Sequence, residues 1–233
     1  MKIGAMNHPM RGVVDEIRKF GELGFEFVDL TLEPFQGAPS AIDVAAVARA
    51  LRETGLSAVG HTAWYLPIGS PFERVRQAAL DELTTCLDIF ARLGITVANV
   101  HPDARVPSMF PGEWPIERNI DSLRRLADLA DARGIRVMVE NVAGPFNQVA
   151  NLKKLFDAVP ALGLHLDVGH ANLGHPRNAT EQFLDAFADR LVHVHFSDNK
   201  GDADAHLPMG VGTIDWRWAI AALKRHGYDG TIT

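Results

Sequence analysis

Eight short apolar runs separated by longer amphipathic segments predict an α/β protein: a closed parallel barrel wrapped in helices, the (β/α)8 or TIM barrel. Three observations carry that expectation. Strand-like and helix-like segments alternate from one end of the 233-residue chain to the other, at roughly thirty residues per unit, close to what this fold uses. No G-x-G-x-x-G follows the first strand, so the dinucleotide-binding open sheet that also alternates strand and helix has no motif to support it. No linker or low-complexity tract interrupts the pattern, which predicts a single domain over residues 1–233.

The runs are KIGAM (2–6), FEFVDLTL (25–32), SAVGH (57–61), ITVANVH (95–101), IRVMVE (135–140), LGLHLD (162–167), LVHVHF (191–196) and GTIT (230–233). Between them lie segments with apolar residues three and four apart, the spacing of one helix face. RQAALDELTTCLDIFARLG (76–94) and NIDSLRRLADLADARG (119–134) are the clearest, each stopped by a glycine, Gly94 and Gly134. The last run, within YDGTIT, reaches the end of the sequence, so the barrel is expected to be truncated in or after strand eight, where a covering helix normally follows. The only cysteine, Cys86, falls within a helical pattern and is expected to be a buried thiol.

The bulk numbers restrict the function classes. With 47% hydrophobic residues the chain can build a large core. No apolar run approaches the roughly eighteen residues of a membrane span, and MKIGAMNHP enters a strand pattern rather than a signal peptide, so a cytoplasmic protein with no membrane partner is expected. The net charge of −6 argues against a nucleic-acid partner without excluding one, because phosphate binding uses clustered Lys and Arg.

In a TIM barrel the site is built where strands end at their C-terminal side. The third to seventh runs end, or nearly end, in His61, His101, Glu140, Asp167 and His195. His170 follows in the loop after the sixth run, and Asp204 and His206 in the loop after the seventh. Each histidine alone reads more readily as a hydrogen-bonded structural residue than as a ligand. Two carboxylates on neighbouring strands are different: Glu140 and Asp167 repel one another, and each is costly to bury, unless a cation lies between them. With imidazoles nearby, that cation is a divalent metal, Zn, Mn or Co, or Mg where fewer nitrogens take part. His165 and His193 lie two residues before strand ends, so they point inward one layer deeper and are expected to orient ligands. His8, His175 and His226 read as loop or helix-end residues. Trp64 and Tyr65 read equally as a wall for a ligand and as core packing.

Six motifs in order resemble one superfamily. GHTAWYLPIGSP, NVHPD, VENVAG, LDVGHA, VHFSDNKG and DAHLPMGVGTIDW resemble the xylose isomerase-like TIM barrels, which include sugar phosphate isomerases and epimerases and endonuclease IV. The resemblance implies one divalent metal held by Glu140, Asp167 and His195, with a fourth ligand, a glutamate, expected a residue or two beyond GTIT. It implies a catalytic role for Glu140 and an enediolate route that moves a proton on a small sugar, sugar phosphate or related hydroxy-carbonyl compound. His170 would bind a substrate oxygen or a further metal. Lys200 would neutralise a phosphate or carboxylate end, or is simply a solvated loop residue, and Trp64 would wall the substrate. In endonuclease IV a three-zinc cluster uses more ligands, and the resemblance places His61, His101, His170, Asp204 and His206 at their counterparts. EPFQGAPS (33–40), after the second strand, is short and has no Lys or Arg, which favours a small polyol-like substrate over abasic DNA. A barrel that only binds sugar or metal is the third reading.

Overall fold

The computed structural model describes residues 1–107 and 109–233. Its eight strands are β1 (Lys2–Met6), β2 (Phe27–Leu32), β3 (Ser57–Thr62), β4 (Val97–Val100), β5 (Arg136–Glu140), β6 (Gly163–Asp167), β7 (Leu191–His195) and β8 (Thr231–Ile232). They form a closed barrel in sequence order, with every neighbouring pair parallel. Each expected run contains a strand, trimmed at its ends. His101 and Phe196 fall just past β4 and β7, on the rim rather than in the ladder. The eighth strand is two residues long, yet it pairs on both sides: Lys2 with Thr231 and Ile3 with Ile232, His193 with Thr231 and Val194 with Ile232. Closure, which the sequence left in question, is therefore made. Phe196 N–H donates to the Thr233 carbonyl at 2.8 Å and extends that seam.

Seven α-helices among the described residues cover the barrel: α1 (Val13–Glu22), α2 (Val44–Thr54), α3 (Glu73–Arg92), α4 (Trp114–Asp131), α5 (Val149–Ala158), α6 (Thr180–Phe187) and α7 (Trp216–Arg225). Asp43 and Asp215 cap α2 and α7 by accepting from the backbone N–H of Ala46 and Trp218, satisfying donors the helix itself leaves free. The glycines expected to stop α3 and α4 do take the left-handed conformation, with φ of 72° at Gly94 and 69° at Gly134. Cys86 is buried within α3, and desolvation pushes its thiol up to about 12. No helix among the described residues is long and apolar enough to cross a membrane.

The period of two in a strand separates two kinds of core. From β2, Val28, Leu30 and Leu32 join the large cluster between sheet and helices. Phe27, on the opposite face, joins only Val59 and Met138 in a small apolar floor inside the barrel. Above that floor the interior is polar: Asp29, Asn99, His165 and His193 are all fully buried. The outer layer holds the fold by apolar burial, which leaves the barrel interior free to carry charge.

Candidate metal centre

Asn99 on β4, Glu140 on β5 and His165 on β6 bring their side chains together inside the barrel. Glu140 Oε2 accepts from Asn99 Nδ2 at 2.8 Å and lies 3.0 Å from His101 Nε2 and 3.2 Å from His165 Nδ1. Its Oε1 lies 3.0 Å from His170 Nδ1. Burial alone would raise the pKa of Glu140. The imidazoles of His165 and His101 outweigh it and hold the carboxyl well below the usual range.

Asp167 shows why the LDVGHA segment spaces an acid and a histidine by three. Its backbone N–H donates to Asn141 Oδ1 at 2.7 Å, and its carbonyl accepts from Asn141 Nδ2 at 2.9 Å. Its Oδ1 accepts the backbone N–H of His170 at 2.7 Å, which closes the turn. Oδ2 stands 3.8 Å from His195 Nδ1 and 3.9 Å from His170 Nδ1. One oxygen shapes the loop and the other faces the imidazoles.

His170 also reaches Asp204, whose Oδ2 lies 3.2 Å from its Nε2 and 3.1 Å from His206 Nε2. Burial lowers the pKa of His170, but Asp167, Asp204 and Glu140 around it raise it well above the ordinary histidine value. The loop that carries Asp204 and His206 is tied down by Asp198, a fully buried carboxylate. Its Oδ1 accepts from the N–H of Asn199 at 2.9 Å and Ile214 at 3.3 Å. Its Oδ2 accepts from Gly210 N–H at 2.8 Å and Trp216 Nε1 at 2.9 Å.

Glu140, Asp167, His170, Asp204 and His206 line one cavity of about 450 Å³ at the C-terminal mouth of the barrel. All eight residues proposed as metal ligands line it, and so does Trp64, which is 62% exposed and so is a wall rather than core packing. Lys200 is exposed and is not part of the lining. The cation that does line it is Arg105, whose guanidinium sits 5.6 Å from the centre of the Trp64 ring. His165 and His193 are fully buried below, in contact with Glu140 and Asp29 respectively. His226 caps the end of α7 and bonds Asp185, while His175 Nε2 lies 2.9 Å from the Asn147 carbonyl.

The donors fall into three linked sets, in each of which the ligand atoms lie within 4.8 Å of one another: His61, His101 and Glu140; Glu140, Asp167 and His170; His170, Asp204 and His206. Glu140 and His170 join these three sets, and His61 links the first of them to a further set with His165 and His195. His195 falls instead with Asp29 and His193, or with His61 and His165; Asp167 Oδ2 is its contact to the carboxylate pair. Nδ1 of His61 and His101 are buried without a hydrogen-bond partner, an arrangement that is costly unless something else engages those side chains. Clustered carboxylate oxygens and imidazole nitrogens are a donor set that fits Zn, Mn or Co.

Sequence reasoning passed over Asp29, Asn99, Asp198 and Arg105. The period of two that singled out His165 and His193 also turns Asp29 inward, between Phe27 and Thr31 on β2, and places Asn99 two residues before His101. Asp198 had no such signal, because its partners come from a loop whose path the sequence does not fix.

A closed parallel barrel with buried acids and imidazoles clustered at its C-terminal mouth defines a TIM barrel with a candidate metal site. The family described as xylose isomerase-like TIM barrel matches residues 17–233, and the chain belongs to it. An uncharacterized protein of Methanocaldococcus jannaschii is 30% identical over 171 residues, covering 69% of this chain and 57% of that protein's length. A ketose 3-epimerase of Arthrobacter globiformis is 28% identical over 232 residues, covering 95% of this chain and 76% of that enzyme. A probable endonuclease 4 of Thermosipho melanesiensis is 24% identical, covering 76% and 69%. Among solved structures, a D-tagatose 3-epimerase-like protein superposes with a TM-score of 0.88 at 24% identity, covering 100% of this chain and 89% of that one. That likeness speaks for the fold.

Proposed function

We infer that the protein is a divalent-metal-dependent isomerase or epimerase that moves a proton on a small sugar, sugar phosphate or related hydroxy-carbonyl compound. The observation that carries this reading is the cavity itself: about 450 Å³, the size of a small-molecule site, with two buried carboxylates within it and an exposed indole at its wall. The similarity to the ketose 3-epimerase, which spans 95% of this chain, supports the same class of substrate.

Glu140, Asp167 and His195 would hold the metal, as the resemblance implies. When bound, a divalent cation supplies Lewis acidity toward the adjacent oxygens of a hydroxy-carbonyl substrate. Glu140 is ionised, because the imidazoles beside it outweigh its burial, and so it can accept the proton from the carbon next to the carbonyl. His170, whose pKa is raised despite its burial by Asp167, Asp204 and Glu140, would donate to the oxygen on which charge develops. Trp64 presents an apolar face to the sugar ring or chain. Arg105, rather than Lys200, is the cation placed to meet an anionic end of the substrate.

A second reading rests on the linked donor sets. Two shared residues joining three sets suit a multinuclear centre of the kind that hydrolyses phosphodiesters, and the probable endonuclease 4 match points the same way. One pair of assays separates the readings. The full gene product, loaded with Mn or Zn, is incubated with a panel of ketoses and their phosphates in deuterated water and followed by NMR. Deuterium uptake at a carbon-bound position, abolished by Glu140→Gln, is expected. No exchange on any sugar, together with nicking of duplex DNA at abasic sites that Glu140→Gln abolishes, overturns the isomerase reading.

A further inference from the structure

We propose that Asp29, in the middle of β2, is the positioning residue that fixes the ring of His195 and keeps its Nδ1 turned toward the cavity. The inference rests on the reading of His195 as a metal ligand, but its geometry is independent of any metal. Asp29 is fully buried, and a buried carboxylate without partners costs several kcal/mol. Its Oδ2 lies 2.6 Å from His195 Nε2 and 3.4 Å from His193 Nε2, and accepts from Thr233 Oγ1 at 3.0 Å. The carboxylate therefore ties β2 to β7 and to the seam at β8, inside the barrel and below the cavity, which it does not line.

The consequence follows from imidazole chemistry. An ionised carboxylate only accepts, so the ring nitrogen 2.6 Å away must carry the hydrogen. In a neutral ring the other nitrogen, Nδ1, is then bare, and its lone pair is what a cation binds. That nitrogen is the one that stands 3.8 Å from Asp167 Oδ2. Ring rotation is opposed from two sides. His61 stacks on His195 at 5.3 Å with only 7° between the planes, and His165 meets it edge-on at 4.0 Å. Thr233 and His193 in turn hold the carboxylate: His193 Nδ1 lies 2.7 Å from Thr231 Oγ1, so its ring is held from the far side. Asp29 Oδ1, 3.6 Å from His61 Nδ1, faces a second residue of the cavity lining.

The rival role is direct coordination, since Asp29, His193 and His195 could themselves surround an ion. The test uses the full-length protein with nitrogen-labelled histidine, metal-free and at a pH where His195 is neutral. Long-range nitrogen–proton NMR reads the tautomer, with the His195 signal assigned by His195→Gln. In the wild type His195 is expected as the Nε2–H tautomer. In Asp29→Asn, whose amide can donate to Nε2, the Nδ1–H form should gain population. Chelator competition with Mn and Zn should show affinity falling roughly 10- to 100-fold, the usual range for loss of an outer partner of a ligating histidine. A purely structural role would lower the melting temperature and leave tautomer and affinity unchanged, and that result overturns the proposal. An Nδ1–H tautomer in the wild type also overturns it, as does lost affinity in Asp29→Asn with the tautomer unaltered, which would make Asp29 a ligand. If the tautomer behaves as expected but the wild type binds no divalent metal, the positioning stands and the metal-dependent reading fails instead. The wild-type tautomer needs no variant, so the proposal stays open to refutation even if the Asp29 variants do not fold.

Discussion

Replacing Asp198 by Asn changes one atom of a fully buried side chain and tests what holds the loop between β7 and α7. Each carboxylate oxygen receives two N–H donors: Asn199 and Ile214 on Oδ1, Gly210 and Trp216 on Oδ2. A carboxamide has a single acceptor oxygen. Whichever way it turns, its NH2 faces two donors, so two charge-assisted hydrogen bonds are lost and donor opposes donor. At roughly 1.5–3 kcal/mol for each bond to a charged group, less what relaxation recovers, the cost is about 3 kcal/mol. For a chain of this size that corresponds to a fall of roughly 6–12 °C in melting temperature. If the loop opens without the rest of the barrel, amide exchange at Gly210 and Leu207 should speed up by a factor of about 100. Trp216→Phe removes one donor and keeps an aromatic ring beside Phe196, so it should show about half the effect. The assays are calorimetry and hydrogen exchange. An Asp198→Asn protein with unchanged melting and unchanged exchange at Gly210 would refute the claim that this carboxylate anchors the loop carrying Asp204 and His206.

Two further outcomes follow from the packing and the charges. Gly60→Ala on β3 places a methyl 2.9 Å from ring carbons of the fully buried Phe90, so urea unfolding should show a loss of about 1–3 kcal/mol with the slope unchanged. In metal-free protein, His170 has its pKa raised well above the ordinary 6.5 despite its burial, by Asp167, Asp204 and Glu140. A group raised on folding contributes stability that is full below its unfolded value and is lost as pH rises through its folded value. The metal-free protein should therefore lose stability as pH rises past the ordinary histidine value and through the raised value of folded His170, and His170→Gln should flatten that slope. An equal slope in the two would remove His170 as its source.

The layer order was legible in the sequence because it rests on local periodicity. Alternating runs of β2 and β6 and the three-and-four spacing of α3 and α4 depend on which face is buried, and burial is written residue by residue. The mouth was legible for a related reason: TIM-barrel strands end at the site, so His61, Glu140, Asp167 and His195 could be located by finding where apolar runs stop. What the sequence withheld depended on distance across the barrel. The Asp29 to His195 contact joins residues 166 apart in the chain, and nothing local to FEFVDLTL says which histidine its acid will meet. The Arg105 to Trp64 contact likewise depends on how two loops fold over the rim. Lys200 shows the opposite case: of the two readings the sequence left open, the exposed side chain beyond the turn at Asn199 fits the solvated loop residue.

The division between the two cores also explains how a barrel this polar inside can fold. Its apolar floor consists of Phe27, Val59 and Met138 with the half-buried Val97 and Val192 against it, too little to stabilise a chain of this length. The apolar stabilisation must come from the layer between sheet and helices, where Val28, Leu30 and Leu32 of β2 meet residues such as Val47 and Leu51 of α2. Residues facing the barrel axis are thereby released from apolar packing and held by paired polar contacts: Asn99 to Glu140, Asn141 to Asp167, Asp29 to His195. Such a network is costly when broken at one member and cheap when complete. Substitutions on the outer layer should therefore lower melting temperature and leave the axial contacts intact, while an isosteric change on the axis such as Asn99→Asp, which sets a second carboxylate against buried Glu140, should lower melting temperature and disturb the cavity together.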